Sequence, residues 1–282
     1  MKIFIDTADI DEIREAFSWG IVDGVTTNPS LINKAVKLLK ANGKEIDMDG
    51  YIREILRTAR GYPVSLEVIG VTAKDMYDEA RKLHGKFNQI ANNVAIKIPI
   101  NPASEEVANF DGLKVIGSLS EEGIPVNVTL VMSVEQALLA AKLGAKYVSP
   151  FAGRTDDLLR ERLGWRLVKE KPNEREFTKD DYYPANGVKA DDGEIINDNG
   201  VVSGIDLIRQ IKEVYDRYNF KSEIISASIR NTRQVVEAAR IGAHIATIPF
   251  PVLEKMLIHP KTAEGMRKFT ADVVPEYREI FE

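Results

Sequence analysis

One lysine stands where lysine is hardest to explain. The run VAIKIPI (94–100) reads as a β-strand, and its middle residue is Lys97. Alternation along a strand puts Val94, Ile96 and Ile98 on one face and Ala95, Lys97 and Pro99 on the other. If the β-branched face meets covering helices, Lys97 points into a closed interior, where an ammonium is costly unless it is used. Lysine attacks a carbonyl only as the neutral amine. At a reference pKa of about 10.4, roughly one in a few thousand is neutral at pH 7, and burial favours the neutral form. An imine formed there is an electron sink beside which a C–C bond can break, and making and hydrolysing it needs proton shuttles within hydrogen-bond reach. The bland alternative is a lysine at a barrel floor that only neutralises a carboxylate.

The same parity gathers other polar residues at strand ends. Asp6 closes KIFID (2–6), and Glu67 shares a face with Ser65 in PVSLEVI (63–69). Asn127 and Thr129 come from IPVNVTL (124–130), and Ser149 and Phe151 from YVSPF (147–151), with Arg154 just beyond. Ser226, Ser228 and Arg230 come from EIISAS (223–228) and the residues after it. Asp6, Glu67 and Thr129 are candidate proton carriers. Arg154 and Arg230 suit a bidentate grip on a dianionic phosphate, assisted by the Ser228 hydroxyl. Each residue taken singly has an ordinary structural use, but their convergence on one mouth describes a class I aldol reaction on a phosphorylated ketose.

The elements that must position them form a regular series. Together with DGVTTN (23–28) and HIATIPF (244–250), the apolar runs number eight, and amphipathic segments separate them. Two of these, SVEQALLAAKLGA (133–145) and NTRQVVEAARIGA (231–243), end at Gly144 and Gly242, which supply left-handed C-caps. Strand–helix alternation gives a parallel sheet, and eight strands close into a barrel. The expectation is an α/β fold, a (β/α)8 TIM barrel occupying 1–282 as one domain. An additional helix over 48–60 lengthens one crossover. A polar insertion at about 159–202 is expected to be a loop or flap too charged to build a core. A C-terminal helix at about 262–282 carries Met266, Phe269, Val273, Tyr277 and Ile280 as an apolar stripe that must dock on its own barrel or on a neighbour.

Composition removes other classes. With no cysteine among 282 residues, disulfides and thiol chemistry are excluded. The net charge of −5, with bases interleaved among acids, argues against a nucleic-acid footprint. His84, His244 and His259 do not pair at a metal-ligand spacing, so no metal is expected. The acidic doublets Asp156–Asp157 and Asp191–Asp192 are read as caps and solvated loop charges. No run approaches the ~20 apolar residues of a membrane span, and an acidic segment around Asp6, Asp9 and Asp11 is no signal peptide, so the expectation is a cytoplasmic protein.

The strings FIDTAD, GVTTNPSLI, SLEVIG, VAIKIPI, IPVNVTLVMS, YVSPFAGR, ISASIRN and ATIPFPVLE occur in this order. In that order they resemble transaldolases, over about 1–157 and 203–270. The resemblance implies a transferase that moves a dihydroxyacetone unit from a ketose phosphate to an aldose phosphate, within the non-oxidative pentose phosphate pathway. It implies that Lys97 forms the Schiff base and that Asp6 handles protons at substrate hydroxyls. Glu67 and Thr129 would activate a water, Asn28 and Asn127 would bind the intermediate, and Arg154, Ser228 and Arg230 would take the phosphate. No cofactor is implied. Fructose-6-phosphate aldolases are similar throughout and form the alternative; they carry tyrosine where this chain has Phe151 and glutamine where it has Glu67, which favours the transferase. Compact relatives form rings of five through the C-terminal helix and longer ones form dimers, so a homo-oligomer is expected.

Overall fold

Parallel strands hydrogen-bond around a closed ring in this computed structural model, which describes residues 1–43, 45–170 and 173–281. In chain order come β1 (Lys2–Asp6), α1 (Ile10–Ser18), β2 (Gly24–Thr26), α2 (Pro29–Ala41), α3 (Met48–Thr58) and β3 (Val64–Glu67). Next are α4 (Ala73–Phe87), β4 (Val94–Pro99), α5 (Asp111–Glu121), β5 (Val126–Val131), α6 (Val134–Lys142), β6 (Tyr147–Pro150) and α7 (Ala152–Arg162). A small sheet of β7 (Arg166–Leu167) and β8 (Glu176–Phe177) follows. The ring is completed by α8 (Gly204–Tyr218), β9 (Glu223–Ser226), α9 (Thr232–Arg240), β10 (Ile245–Ile248) and α10 (Phe250–Lys255). Around the barrel the order is β1-β10-β9-β6-β5-β4-β3-β2, the expected (β/α)8 architecture.

Several strands stop short of their apolar runs because the next helix claims the residues. β2 ends at Thr26 because Asn28 is already the cap of α2, accepting from Leu31 N at 2.9 Å, and Pro29 opens that helix. The alternation that defines the two faces holds through β3, β4 and β6. Val64, Leu66, Val94, Ile96, Ile98, Val126, Val128 and Val148 all join the core beneath the helices. Facing the axis, Phe4, Ala95, Tyr147, Ile225 and Ile245 form a separate apolar floor. Phe4 meets Tyr147 edge-on with ring centroids 6.2 Å apart. Gly24 leaves room for it, since a Cβ there would lie 2.6 Å from the Phe4 ring.

The alternation breaks at two places. Leu130 is left-handed (φ 58°), and the pairing of β5 with β6 slips between Val128 and Val131, so Val131 returns to the outer core. On β9 the inward residue is Ile225, which puts Ser226 on the outer side, opposite Ala246, rather than in the interior as parity from the strand end implied. Ser228 reaches the mouth all the same because its own backbone is left-handed (φ 58°) and resets the direction of the chain.

The segment after α7 is less solvated than its composition implies. Helix α7 runs on to Arg162, and the insertion then buries Phe177, Tyr183 and Val201. The two rings lie against the guanidinium of Arg160, 4.6 and 5.1 Å from it, and Arg160 is only 3% exposed. Asp156 corrects the expectation for the acidic doublet. It is buried and accepts from Gly204 N at 2.7 Å and from Gln234 Nε2 at 2.8 Å, which joins α7 to α8 and α9. The C-terminal segment is also not one helix. It comprises α11 (Pro260–Ala271) and α12 (Pro275–Arg278), interrupted because Pro275 has no amide hydrogen and holds Val274 extended. Met266, Phe269, Tyr277 and Ile280 are exposed by 56–71% and do not dock on the barrel.

Burial pushes the Asp156 carboxyl up to about 7, against the opposing pull of Gly204 N–H, Arg160 and Gln234. The folded chain therefore keeps a proton that the unfolded chain has released between about pH 4 and 7, and stability falls as pH rises through that window. Asp156→Asn removes this dependence. Denaturant titrations at pH 4.5 and 7 should find the variant gaining on the wild type by ~3 kcal/mol between the two. A difference that does not change with pH would contradict the assignment.

Candidate active site

The floor of apolar side chains closes the barrel from below, and the residues two positions further along (Asp6, Lys97, Ser149, Ala227 and Thr247) line a chamber toward the C-terminal rim. Register places Glu67 beside Lys97 and Lys97 beside Asn127 on adjacent strands. The Lys97 amine sits 2.8 Å from Glu67 Oε2 and donates to the carbonyl of Thr27 at 3.0 Å. Lys97 does neutralise a carboxylate, but it is not a floor residue: Ala95 occupies that level and Lys97 stands above it.

A cavity of about 150 Å³ lies over the amine. Asp6, Asn28, Lys97, Ser149, Phe151, Arg154 and Ser228 line it, together with Thr26, Ala227 and Thr247. Four other expected residues do not line it. Glu67 borders the neighbouring apolar groove of about 360 Å³ beside α2. Asn127 is wholly buried; its amide donates to Ser65 Oγ at 3.0 Å and its carbonyl accepts from Ser149 Oγ at 2.7 Å, so it braces the wall. Thr129 is buried, and its hydroxyl is among the polar groups that meet no partner among the described residues. Arg230 turns to Asp157, with Nη2 2.6 Å and Nη1 3.5 Å from the carboxylate.

Electrostatics divide the chamber. Burial raises the Asp6 carboxyl above its ordinary value; the Thr26 hydroxyl and Lys97 pull it down, and Glu67 pushes it up again. Thr26 donates to Asp6 Oδ1 at 2.6 Å and is itself bonded to Thr247. Asp6 is thus a carboxyl held toward its neutral form beside an amine, which suits it to give and take protons. At the far end, Arg154 is exposed and lies over the Phe151 ring at 5.1 Å. The carbonyl oxygen of Asn28 is committed to capping α2, which leaves its amide hydrogens as the donors it can offer the cavity.

A buried amine, a carboxyl held toward neutrality and an arginine at the rim are the groups that carbonyl chemistry on an anionic substrate would call on. Known proteins point the same way: the Transaldolase/Fructose-6-phosphate aldolase family matches residues 3–280. The chain belongs to the transaldolase/fructose-6-phosphate aldolase family. It is an enzyme, and the transferase class expected from the sequence stands. A probable transaldolase of Thermoplasma acidophilum is 42% identical over 272 residues, 96% of this chain and 95% of that one. One of Aquifex aeolicus is 40% identical over 278 residues, 98% of this chain and 99% of that one. Another, of Desulfatibacillum aliphaticivorans, is 42% identical over 272 residues, with 96% and 97% covered.

For a member of this family, three features of the site were not singled out from the sequence. The Thr26 hydroxyl bonds Asp6 and the Thr247 hydroxyl bonds Thr26, and both occupy inward positions that strand parity could have supplied. The Thr27 carbonyl is a backbone acceptor, which no side-chain pattern signals. Asp157 lies behind Arg230 and was read as solvated.

The unpartnered hydroxyl of Thr129 separates stability from activity. Thr129→Val keeps the shape and removes a buried group that makes no hydrogen bond, so its unfolding free energy should stay within about 1 kcal/mol of wild type. Turnover should fall at least tenfold. A variant that is fully active would show the hydroxyl to be idle.

Proposed function

We propose that this enzyme is a transaldolase that works through a Schiff base on Lys97. The observation that carries the reading is the Lys97 amine, buried at the base of a cavity, 2.8 Å from one carboxylate and sharing the chamber with another, Asp6. The amine attacks C2 of a ketose phosphate and water leaves as the imine forms. Asp6 takes the proton of the C4 hydroxyl, the C3–C4 bond breaks and its electrons pass to the imine nitrogen. An aldose phosphate departs, and a three-carbon enamine stays on Lys97. The carbon nucleophile then adds to the aldehyde of an acceptor aldose phosphate while Asp6 returns the proton to the new hydroxyl. Water activated by Glu67 and Thr129 hydrolyses the imine and releases the new ketose phosphate. Sedoheptulose 7-phosphate and fructose 6-phosphate are the donors of this scheme, and glyceraldehyde 3-phosphate and erythrose 4-phosphate the acceptors. Arg154, Ser228 and Arg230 take the phosphate.

Phe151 favours transfer over aldol cleavage. It lines the cavity and offers no hydroxyl to hold a water that would protonate the enamine. The carbon nucleophile therefore survives until an acceptor arrives. A homo-oligomer fits the exposed side chains of α11 and α12, which a second copy of the chain would cover. Sedimentation should find an assembly larger than a monomer, and a sole monomeric species would sink that part of the proposal.

Two experiments test the chemistry. Borohydride reduction in the presence of fructose 6-phosphate should fix a dihydroxyacetone adduct to Lys97, and Lys97→Ala should abolish both adduct and turnover; an adduct mapped to another residue would refute the assignment. Release of glyceraldehyde 3-phosphate from fructose 6-phosphate should be sustained only when erythrose 4-phosphate is supplied. Equal sustained release without it would make the enzyme an aldolase.

A further inference from the structure

Arg230 is fixed at its root, along its length and at its tip. At the root, its backbone N–H donates to Gln234 Oε1 at 2.8 Å. Along its length the side chain crosses the first turn of α7 at Gly153, where a Cβ would come within 2.7 Å of Arg230 Nε and 2.2 Å of the Ser228 carbonyl. At the tip, both terminal nitrogens face the Asp157 carboxylate. This geometry sets which N–H groups remain for an anion: two terminal positions are turned to Asp157, and the rest of the planar fork is held in one orientation.

Asp157 is itself held from behind. Arg160 Nη1 lies 3.8 Å from its carboxylate, and Arg160 has no freedom of its own. Its guanidinium lies against the rings of Phe177 and Tyr183, and its Nη2 donates to the Asp181 carbonyl at 2.7 Å. All three of those residues belong to the insertion between α7 and α8. The exit of the insertion is tied to the same cluster, because Gly204 N donates to Asp156, and Asp156 accepts from the Gln234 amide that also anchors the Arg230 backbone. A chain of contacts therefore runs from the buried rings of the insertion through Arg160 and Asp157 to Arg230.

We propose that Asp157 is a positioning residue for the phosphate grip, and that the insertion is the arm that holds Asp157 in place through Arg160. The proposal rests on the reading of Arg230 as a phosphate ligand. It gives the insertion a task in substrate selection. A rigid, pre-oriented guanidinium binds a dianion without first losing side-chain freedom, and the same rigidity discriminates a phosphorylated ketose from an unphosphorylated one. Charge and positioning make opposite demands at Asp157. A carboxylate so near an anion site repels the anion, so by charge alone its removal tightens binding. If its role is to aim Arg230, its removal loosens binding instead.

That opposition in sign is the test. Inorganic phosphate is titrated into the intact enzyme by calorimetry, and kinetics compare fructose 6-phosphate with fructose. Asp157→Ala should weaken phosphate binding about tenfold and raise KM for fructose 6-phosphate by a similar factor. Its kcat should stay within threefold, and its kcat/KM for fructose within twofold. Asp157→Asn, which keeps an acceptor for Nη2, should recover at least threefold of the loss. Phe177→Ala with Tyr183→Ala should weaken phosphate binding three- to tenfold with the same indifference toward fructose. Tighter or unchanged phosphate binding in Asp157→Ala would overturn the positioning role. Normal phosphate binding in the double variant would overturn the role of the insertion. If the double variant fails to fold, Arg160→Lys, which keeps the charge but loses the flat stack, asks the same question. Phosphate binding is read without turnover, so a failed Lys97 adduct would refute the Schiff-base reading while leaving this outcome interpretable.

Discussion

The contact between Lys97 and Glu67 is the constraint on which the rest of the site depends. Taking an ammonium and a carboxylate out of water costs several kcal/mol each, and the attraction between them offsets this only when geometry is good and the remaining hydrogen-bonding groups are met. Three features of the fold meet that demand. The β3–β4 register sets the two residues side by side on adjacent strands, at 2.8 Å. The Thr27 carbonyl, delivered from the end of β2, accepts a further hydrogen of the amine. The apolar floor of Phe4, Ala95, Tyr147, Ile225 and Ile245 closes the chamber beneath them. Only a closed barrel supplies all three. An open sheet would leave the lysine either solvated or unpaired.

The carboxylates around the chamber are distributed so that each has a distinct electrostatic setting. Glu67 meets Lys97, and Asp157 meets Arg230 and, at longer range, Arg160. Asp6 meets the hydroxyl of Thr26 instead, with Lys97 acting on it only through space. A hydroxyl stabilises an ionised carboxylate less than a cation in contact does, so burial decides the balance at Asp6 and raises it. The residue to which proton transfer at the substrate hydroxyls is assigned is thus the one whose environment keeps the neutral form within reach. Replacing Thr26 by a cation would satisfy Asp6 better and remove that property.

How much of this could be read from the sequence depends on how local the cause was. Strand count, barrel closure and the inward placement of Lys97, Glu67, Asn127 and Ser149 follow from period-two alternation, which is a property of neighbouring residues. Alternation failed on β9, where the left-handed backbone at Ser228 resets the face, because a positive φ at a serine leaves no mark in residue type. The Asp156–Asp157 doublet was misread because its partners lie 48 to 78 residues away, at Gly204, Arg230 and Gln234. The same distance hid the packing of the insertion. Its many charges suggested solvation, yet Phe177 and Tyr183, two aromatic residues among them, supply the buried contact. The break at Pro275 has a mark in residue type, but the apolar stripe that continues past it reads as a single helix.

In the proposed scheme the phosphate end of the chamber has to satisfy a requirement that conflicts with the first. In that scheme the amine works in a buried interior, whereas a dianionic sugar phosphate arrives and leaves through water. The two arginines resolve this by differing. Arg154 is exposed at the rim and lies over the Phe151 ring, so it would meet an arriving ligand first. Arg230 is deeper and is held on Gly153 by Asp157. Phe151 therefore has two sides with different demands in the proposed scheme, Arg154 over its face and the cavity that it lines. It stacks on Arg154 through its face, and in the proposed scheme it would present hydrocarbon to the enamine and keep a proton source away from the carbon. A tyrosine there would keep the stacking and forfeit the dryness. In the proposed scheme, the ring oxygen that Phe151 lacks is one of two differences, with Glu67 the other, that set passing the three-carbon unit to an acceptor apart from releasing it to solvent.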